Sequence, residues 1–429
     1  MRSQVSLQQA SRLANSGGQA VITPLALPYR ATGPLNLVAL QDALREVVRR
    51  HSSLRTVFPD GRAQIIDASD ADVPLTVRQT GPLSDEALHA WVMQELQTGV
   101  DMRVGPAMRA SVATITPETH VVILVVDHVV YDGISNSRVQ SELARLYEAR
   151  IADRPDWTSV AGPVPATYEV FCQDQHNAFH GSWGQQCRDY WYEQFDRFDH
   201  YPPAGQVPAG ATAILQAPSP TADTVRKIVR RVSPEQLAII RKTARLASAS
   251  PFSVWVARLL QGMDRVGSPT HGLVTDIHGR VWPAYTSTVG LFAHGLPIYA
   301  HTPAATPLPE AIAAVHDSLQ EATRYALPLR ELSRAWLADT GQRDGVVDRR
   351  PFIHFLDESS WRFDRTLGPV RLEYFEPHGL FEPRHSGPAM LRVKLERYAD
   401  DVYLTIQFDV RVNDQEGMED IAAWLVGGP

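Results

Sequence analysis

The sequence predicts an α+β protein made of two lobes of similar plan. Three observations carry this: apolar residues at helical spacing in 35–48, hairpin patterns at 108–128 and 389–412, and recurrence of mixed helices and hairpins in both halves. A chain of 429 residues is too long for one typical core and suits two domains of about 200 residues each.

After Pro34, residues Leu35, Leu37, Leu40, Ala43, Leu44, Val47 and Val48 fall on one helical face, with Arg49, Arg50 and His51 in the last turn, where cations suit the helix dipole. HSSLRTVF then reads as extended up to the turn signal Pro59-Asp60-Gly61, and AQIIDA and VPLTVRQ as short strands. SDEALHAWVMQELQTGVD opens with a serine cap and an acidic first turn, so it reads as a helix. MRASVATITPETHVVILVVDH is a hairpin turning at TPET, and ISNSRVQSELARLYEARIA a third helix. A proline-rich stretch at 155–165, helical segments at 167–198 and a second Pro/Gly-rich stretch at 201–220 lead to the second half.

There RKIVRRVS is a strand, and SPEQLAIIRKTARLAS a helix with proline in its first turn. SPFSVWVARLLQGMDRV and PLPEAIAAVHDSLQEATRYA are further helices, separated by the extended, glycine-punctuated segments HGLVTDIHGR and STVGLFAHGLPIYAH. PFIHFLD and VRLEYFEPHG read as strands, AMLRVKLERYADDVYLTIQFDVRV as a hairpin turning near Ala399-Asp400-Asp401, and EGMEDIAAWLV as a closing helix. The division expected is 1–172 and 173–429.

Composition narrows the function classes. Hydrophobic content of 44% and charged content of 21% are those of an ordinary globular protein. A net charge of -7 offers no footprint for nucleic acid or an anionic membrane. Cys172 and Cys187 are too few for a metal-ligand set and read as reduced thiols, so no metal is expected. The N-terminus lacks a basic start followed by an apolar stretch, and no apolar run nears the ~20 residues that span a bilayer, so a cytoplasmic protein is expected.

The chemistry concentrates in Asp127-His128-Val129-Val130-Tyr131-Asp132-Gly133, where a β-branched run stops and delivers one imidazole to a turn. That placement suits a general base or an electrostatic stabiliser. Residues 127 and 128, adjacent at a strand end, point to opposite faces, so only one of them can serve the same site.

Five segments occur in an order and near a spacing that resemble the core motifs of nonribosomal peptide synthetase condensation domains: RRHSSLRTVF at 49–58, VVDHVVYDGIS at 125–135, TVGLFAHGLP at 288–297, ALPLREL at 326–332 and RRPFIHF at 349–355. SLQQASRLA near the N-terminus and the helical region from Tyr168 to Asp189 look like weakened versions of two more. The resemblance covers essentially the whole chain, and five ordered matches are far more specific than one HxxxDG. It implies two chloramphenicol-acetyltransferase-like lobes forming a V-shaped pseudo-dimer. Between them would run a tunnel, entered from one side by the phosphopantetheine arm of a peptidyl or acyl carrier protein. A carrier-bound or small-molecule acceptor would enter from the other side, and no cofactor is bound.

The resemblance implies His128 as the catalytic residue, attacking chemistry being aminolysis or alcoholysis of the donor thioester. It implies that Asp132 pairs with Arg280 to brace the lobe interface, while Gly133 permits close approach and offers an amide to the oxyanion. Tyr131, His294 and Gly295 would line the tunnel. Two positions depart from the family pattern: Asp127 stands where the first histidine of HHxxxDG belongs, and His294-Gly295 where Asn-Thr is usual. Asp127 is expected to be structural. With no adenylation motif and no carrier segment in the chain, a free-standing acyltransferase of natural-product biosynthesis is expected. A CoA-dependent acyltransferase of the same superfamily is the alternative, although the DFGWG string of its plant-type members is missing. A catalytically inactive, condensation-like recruitment domain is the non-enzymatic one.

Overall fold

The computed structural model describes residues 5–16, 19–198, 224–267, 270, 272–340, 352–356, 365–374, 391–398 and 401–427. In chain order they form α1 (Leu7–Ser16), β1 (Pro24–Thr32), α2 (Leu37–Arg50), β2 (Thr56–Val57), β3 (Gln64–Ile65), β4 (Leu75–Gln79), α3 (Asp85–Thr98), β5 (Met108–Thr116), β6 (Thr119–Asp127), α4 (Gly133–Ile151) and α5 (Tyr168–His180). There follow α6 (Ser182–Phe198), β7 (Val225–Val232), α7 (Pro234–Leu246), α8 (Pro251–Arg265), β8 (Gly272–Ile277), β9 (His294–Tyr299), α9 (Leu308–Arg324), α10 (Leu329–Thr340) and β10 (Phe352–Leu356). The last elements are β11 (Arg365–Leu367), β12 (Val370–Tyr374), β13 (Leu391–Tyr398), β14 (Asp401–Asp409) and α11 (Gln415–Val426).

Two compact units result. The first is Met1–His180, His278–Ala293 and Ser360–Glu382; the second is Gly181–Ile277, His294–Ser359 and Pro383–Pro429. They interleave along the chain and do not meet once at 172/173.

The first unit holds a six-stranded sheet in the order β11-β12-β1-β6-β5-β4. Strand β6 runs antiparallel to β1, from Pro24 opposite Asp127 to Thr32 opposite Thr119, and to β5 on its other side. Its apolar run is continuous because both faces are covered. Val122, Leu124 and Val126 join a core with α2 and α4, while Val121, Ile123 and Val125 join a second core with Leu88 and Trp91 of α3. Each such side chain contributes about 1.5–3 kcal/mol on burial, so the strand end carrying Asp127 is held from both sides.

Four sequence expectations need correction in this unit. HSSLRTVF is extended only at Thr56–Val57, since Ser52–Arg55 forms a short 3-10 turn. The first helix begins at Leu37, not Leu35, because Asn36 caps it by accepting from the Ala39 amide at 2.9 Å. AQIIDA contributes only β3, a two-residue partner of β2 outside the main sheet. VRLEYFEPHG, expected in the second lobe, supplies β12 to the first sheet, with Tyr374 opposite Tyr29 and Arg371 opposite Thr32 of β1. The open edge of β1 selects it, and Leu367, Val370 and Leu372 enter the core under α2 and α4. Its 375–379 portion lies outside the described residues.

The second unit has a six-stranded sheet in the order β7-β14-β13-β10-β8-β9. The expected β13–β14 hairpin forms in full register from Leu391–Phe408 to Tyr398–Asp401, its turn at 399–400 falling outside the described residues. Helix α7 carries a complete capping box between Ser233 and Gln236, with Pro234 at its start. Aromatic residues of α6 pack inside this unit. The Trp191 indole donates to the Tyr325 carbonyl at 2.8 Å, and the Tyr190 and Tyr325 rings stack with centroids 4.7 Å apart. Cys172 and Cys187 are free, buried thiols. Among the described residues no helix is long and apolar enough to cross a membrane. The 201–220 stretch lies outside the described residues.

Candidate active site

Strand β6 stops at Asp127, and the next five residues, 128–132, turn the chain into α4. The His128 amide donates to the Thr23 carbonyl at 2.7 Å, and Val130 closes the turn onto the Asp127 carbonyl at 3.2 Å. Val129, Val130 and Tyr131 are fully buried and anchor this turn, leaving the His128 side chain half-buried. Its Nδ1 lies 2.5 Å from the Tyr131 carbonyl oxygen. A carbonyl only accepts, so Nδ1 carries the proton and Nε2 presents a lone pair. Burial, reinforced by the charge of Arg12, pushes the imidazole down to about 4, so it is neutral at neutral pH. The arrangement is a rigid, neutral imidazole with one defined basic atom.

Asp127 does different work. Its carboxylate accepts from the amides of Ile22 (3.0 Å), Thr23 (2.9 Å) and Val129 (2.9 Å), and the residue is fully buried. Burial holds its carboxyl above the ordinary range, and these three amides offset only part of that push. Three donors converging on one side chain require an acceptor with several lone pairs, which a neutral histidine lacks. Asp127 therefore stitches the segment before β1 to the end of β6.

Asp132 caps α4, accepting from the Ser135 amide at 2.9 Å. It also takes both arms of Arg280, at 2.8 and 3.0 Å, and the amides of Phe292 (2.9 Å) and Ala293 (3.2 Å). Burial alone would raise this carboxyl; the Arg280 charge and hydrogen bonds, with the Ser135 and Phe292 amides, outweigh it and hold it low. Arg280 extends the lattice to the Ser135 hydroxyl (2.9 Å) and the Thr288 carbonyl (3.1 Å), and its guanidinium lies over the Phe292 ring at 4.2 Å. Because His278–Ala293 belongs to the first unit, the pair holds that segment onto α4 within one unit. The same bonds explain why STVGLFAHGLPIYAH is not extended throughout: 288–293 is irregular and only His294–Tyr299 is strand.

Sequence reasoning missed Ser135 and Gly290. The Ser135 hydroxyl donates to the Gly290 carbonyl at 2.8 Å and accepts from the Gly290 amide at 2.9 Å. Asp132-x-x-Ser135 is a helix-entry pattern that could have flagged the serine; its partner 155 residues away had no local signal. A side chain at Gly290 would place its Cβ 2.0 Å from the Tyr168 ring, whose hydroxyl donates to the Leu291 carbonyl. Gly290→Ala is expected to lower unfolding stability by about 1–3 kcal/mol. Denaturant titration measures this, and an unchanged midpoint would show that the ring yields freely.

The remaining predicted residues divide. Tyr131 points into the core, its hydroxyl donating to Asn136 at 3.1 Å, and reaches His128 only through its carbonyl. Gly133 is the first residue of α4, and among the described residues its amide has no hydrogen-bond partner. His294 and Gly295 begin β9 in the second unit, opposite Ile277 and Asp276. The first unit thus brings together His128, Asp127, Tyr131, Asp132, Gly133 and Arg280, while His294 and Gly295 belong to the second unit.

Comparison with known proteins decides the family. A family model described as "Condensation domain" matches residues 16–349. The chain belongs to the condensation-domain family. This condensation domain is 28% identical over 310 residues, 69% of its length, to a probable non-canonical nonribosomal peptide synthetase, CymA, of Salinispora arenicola, spanning 4% of that relative. It covers only a small part of the first curated relatives it matches. Among solved structures it resembles SgcC5 from Streptomyces globisporus (TM-score 0.73, 18% identity, 98% and 97% of the two chains). It also resembles the X-domain from teicoplanin biosynthesis in its complex with OxyB (TM-score 0.76, 20% identity, 99% and 92%). These likenesses show the fold, the two-lobed chloramphenicol-acetyltransferase-like α+β architecture expected from the sequence. The condensation domain is of the kind found in nonribosomal peptide synthesis.

Proposed function

We propose that this condensation domain is an acyltransferase that joins an acyl or aminoacyl thioester, presented on the phosphopantetheine arm of a carrier protein, to an amine or hydroxyl acceptor. The observation that carries the reading is the locked neutral imidazole of His128. Its Nδ1–H is held by the Tyr131 carbonyl, leaving Nε2 as the proton acceptor.

The acceptor heteroatom attacks the thioester carbonyl and loses its proton to Nε2. Charge moves to the carbonyl oxygen, where the uncommitted Gly133 amide at the start of α4 is suited to receive it. Collapse expels the thiolate, which takes the proton back from the imidazolium. A buried imidazole with a lowered pKa is a weak base toward a neutral amine. It accepts readily from the cationic, far more acidic amine of the tetrahedral adduct, and the nearby oxyanion then balances its charge. Asp127, Asp132 and Arg280 act as positioning residues, holding both ends of the turn that carries His128.

The test offers the purified protein a panel of acyl-loaded carriers and the matching acyl-CoA thioesters with an amine acceptor, and reads product by intact mass. Transfer from the carriers and not from acyl-CoA is the expected outcome. Preference for acyl-CoA would replace this reading with a CoA-dependent acyltransferase, and no transfer from either donor would leave a recruitment domain.

A further inference from the structure

A cleft of about 790 Å³ lies along the outer face of α4 in the first unit. Arg138, Ser141 and Arg145 line it at helical spacing, so they share one face of the helix. Opposite them stand the 161–166 wall and Ser287. The volume falls within the range of about 300–1,000 Å³ typical of small-molecule sites.

The charges in the cleft are of two kinds. Arg50 is buried and committed: it pairs with Glu142 and donates to the Gly162 carbonyl at 2.8 Å, which fixes the wall and leaves no net charge from that pair. Glu148, at the rim, accepts from the Gly368 amide at 3.2 Å. Arg138 and Arg145 are exposed, and neither has a partner among the described residues. Other exposed arginines of this unit do have carboxylates: Arg30 with Asp85, Arg45 with Asp72, Arg103 with Asp101 and Arg154 with Asp156. Arg62, on the loop after β2, is exposed without a carboxylate too, but it stands by itself; Arg138 and Arg145 share one helix face, about 10 Å apart along the axis, and both line the cleft.

We propose that the cleft binds a phosphate ester, with Arg138 and Arg145 as its charged ligands and the Ser141 and Ser287 hydroxyls as neutral donors. A phosphate dianion matches two fork-shaped guanidiniums in charge and geometry, whereas a single carboxylate leaves one of them uncompensated. The site is tied to the turn lattice: the Thr288 hydroxyl donates to the carbonyl of Ala166, a wall residue, at 2.8 Å, and the Thr288 carbonyl accepts from Arg280. Occupancy would thereby bear on the segment that holds Asp132. The phosphate could come from a free metabolite or from a carrier arm; only the second source rests on the function proposed above.

Titration of the full chain with inorganic pyrophosphate by calorimetry, at fixed ionic strength, tests the site without any carrier. Saturable binding is expected, weakened at least about tenfold in Arg138→Ala/Arg145→Ala, with the thermal midpoint unchanged and part of the affinity restored in Arg138→Lys/Arg145→Lys. No saturable binding, or equal affinity in the double alanine variant, overturns the proposal. A second titration compares phosphopantetheinylated and unmodified carrier. An advantage of the modified form that the double alanine variant loses assigns the phosphate to the arm. An advantage that it keeps, alongside intact pyrophosphate binding to the wild type, assigns the cleft to a free phosphate ester.

Discussion

His128→Ala is expected to lower kcat for thioester condensation by about 10²–10⁴-fold, the usual contribution of a positioned general base, with little change in KM. The fold should persist, because the ring makes one hydrogen bond to the Tyr131 carbonyl, a contact worth about 1 kcal/mol net, while Val129, Val130 and Tyr131 keep the turn anchored. Acidity supplies a second readout of the same group. Burial and Arg12 lower the imidazole to about 4, so a chemistry-limited rate should stay level as pH falls through the ordinary histidine range and decline only near pH 5 and below. Stability follows the same linkage. The unfolded chain protonates His128 near pH 6.5 and the folded chain does not, so stability present above pH 6.5 is lost as pH falls toward 4, at up to about 1.4 kcal/mol per pH unit. His128→Ala should lack that slope relative to wild type. An undiminished rate in this variant, with wild-type pH dependence, would remove His128 from the chemistry.

Asp132→Ala should cost the first unit about 3–5 kcal/mol, the range for leaving one member of a buried ion pair alone. The reason is the number of donors it abandons: the Ser135, Phe292 and Ala293 amides and both arms of Arg280. Arg280→Ala should cost a comparable amount, since it leaves a carboxylate that is 1% exposed without its countercharge. The double variant should be clearly more stable than the sum of the two losses implies, because each residue's penalty is largely the stranding of the other. A denaturant double-mutant cycle measures this, and additive losses would mean that the pair is not coupled. Activity assayed where the variants remain folded separates positioning from chemistry: both should retain more turnover than His128→Ala.

Much of this was legible locally. The β5–β6 and β13–β14 hairpins follow from β-branched runs and short turns, the helix starts from Ser84, Ser233 and Ser250 caps, and the single imidazole of the turn from its place at a strand end. The structural reading of Asp127 followed from strand alternation, although its three amide partners did not. The family resemblance implied the Asp132–Arg280 pair, but not that Asp132 also caps α4 or that Ser135 clasps Gly290.

Element type, caps and the run that ends at His128 thus depend on neighbours within one turn or hairpin, and the order of residues carries them. Tertiary structure alone decided which strand completes a sheet and which donors saturate a carboxylate. Strand β12, with β11 on its outer edge, pairs with β1 across more than 300 residues because that edge was open and Leu367, Val370 and Leu372 could be buried there. The His278–Ala293 segment joins the first unit because Asp132 and Ser135, buried at the start of α4, satisfy its amides and its arginine. Such choices are settled by comparing distant alternatives for burial and hydrogen bonding, a comparison no local window contains.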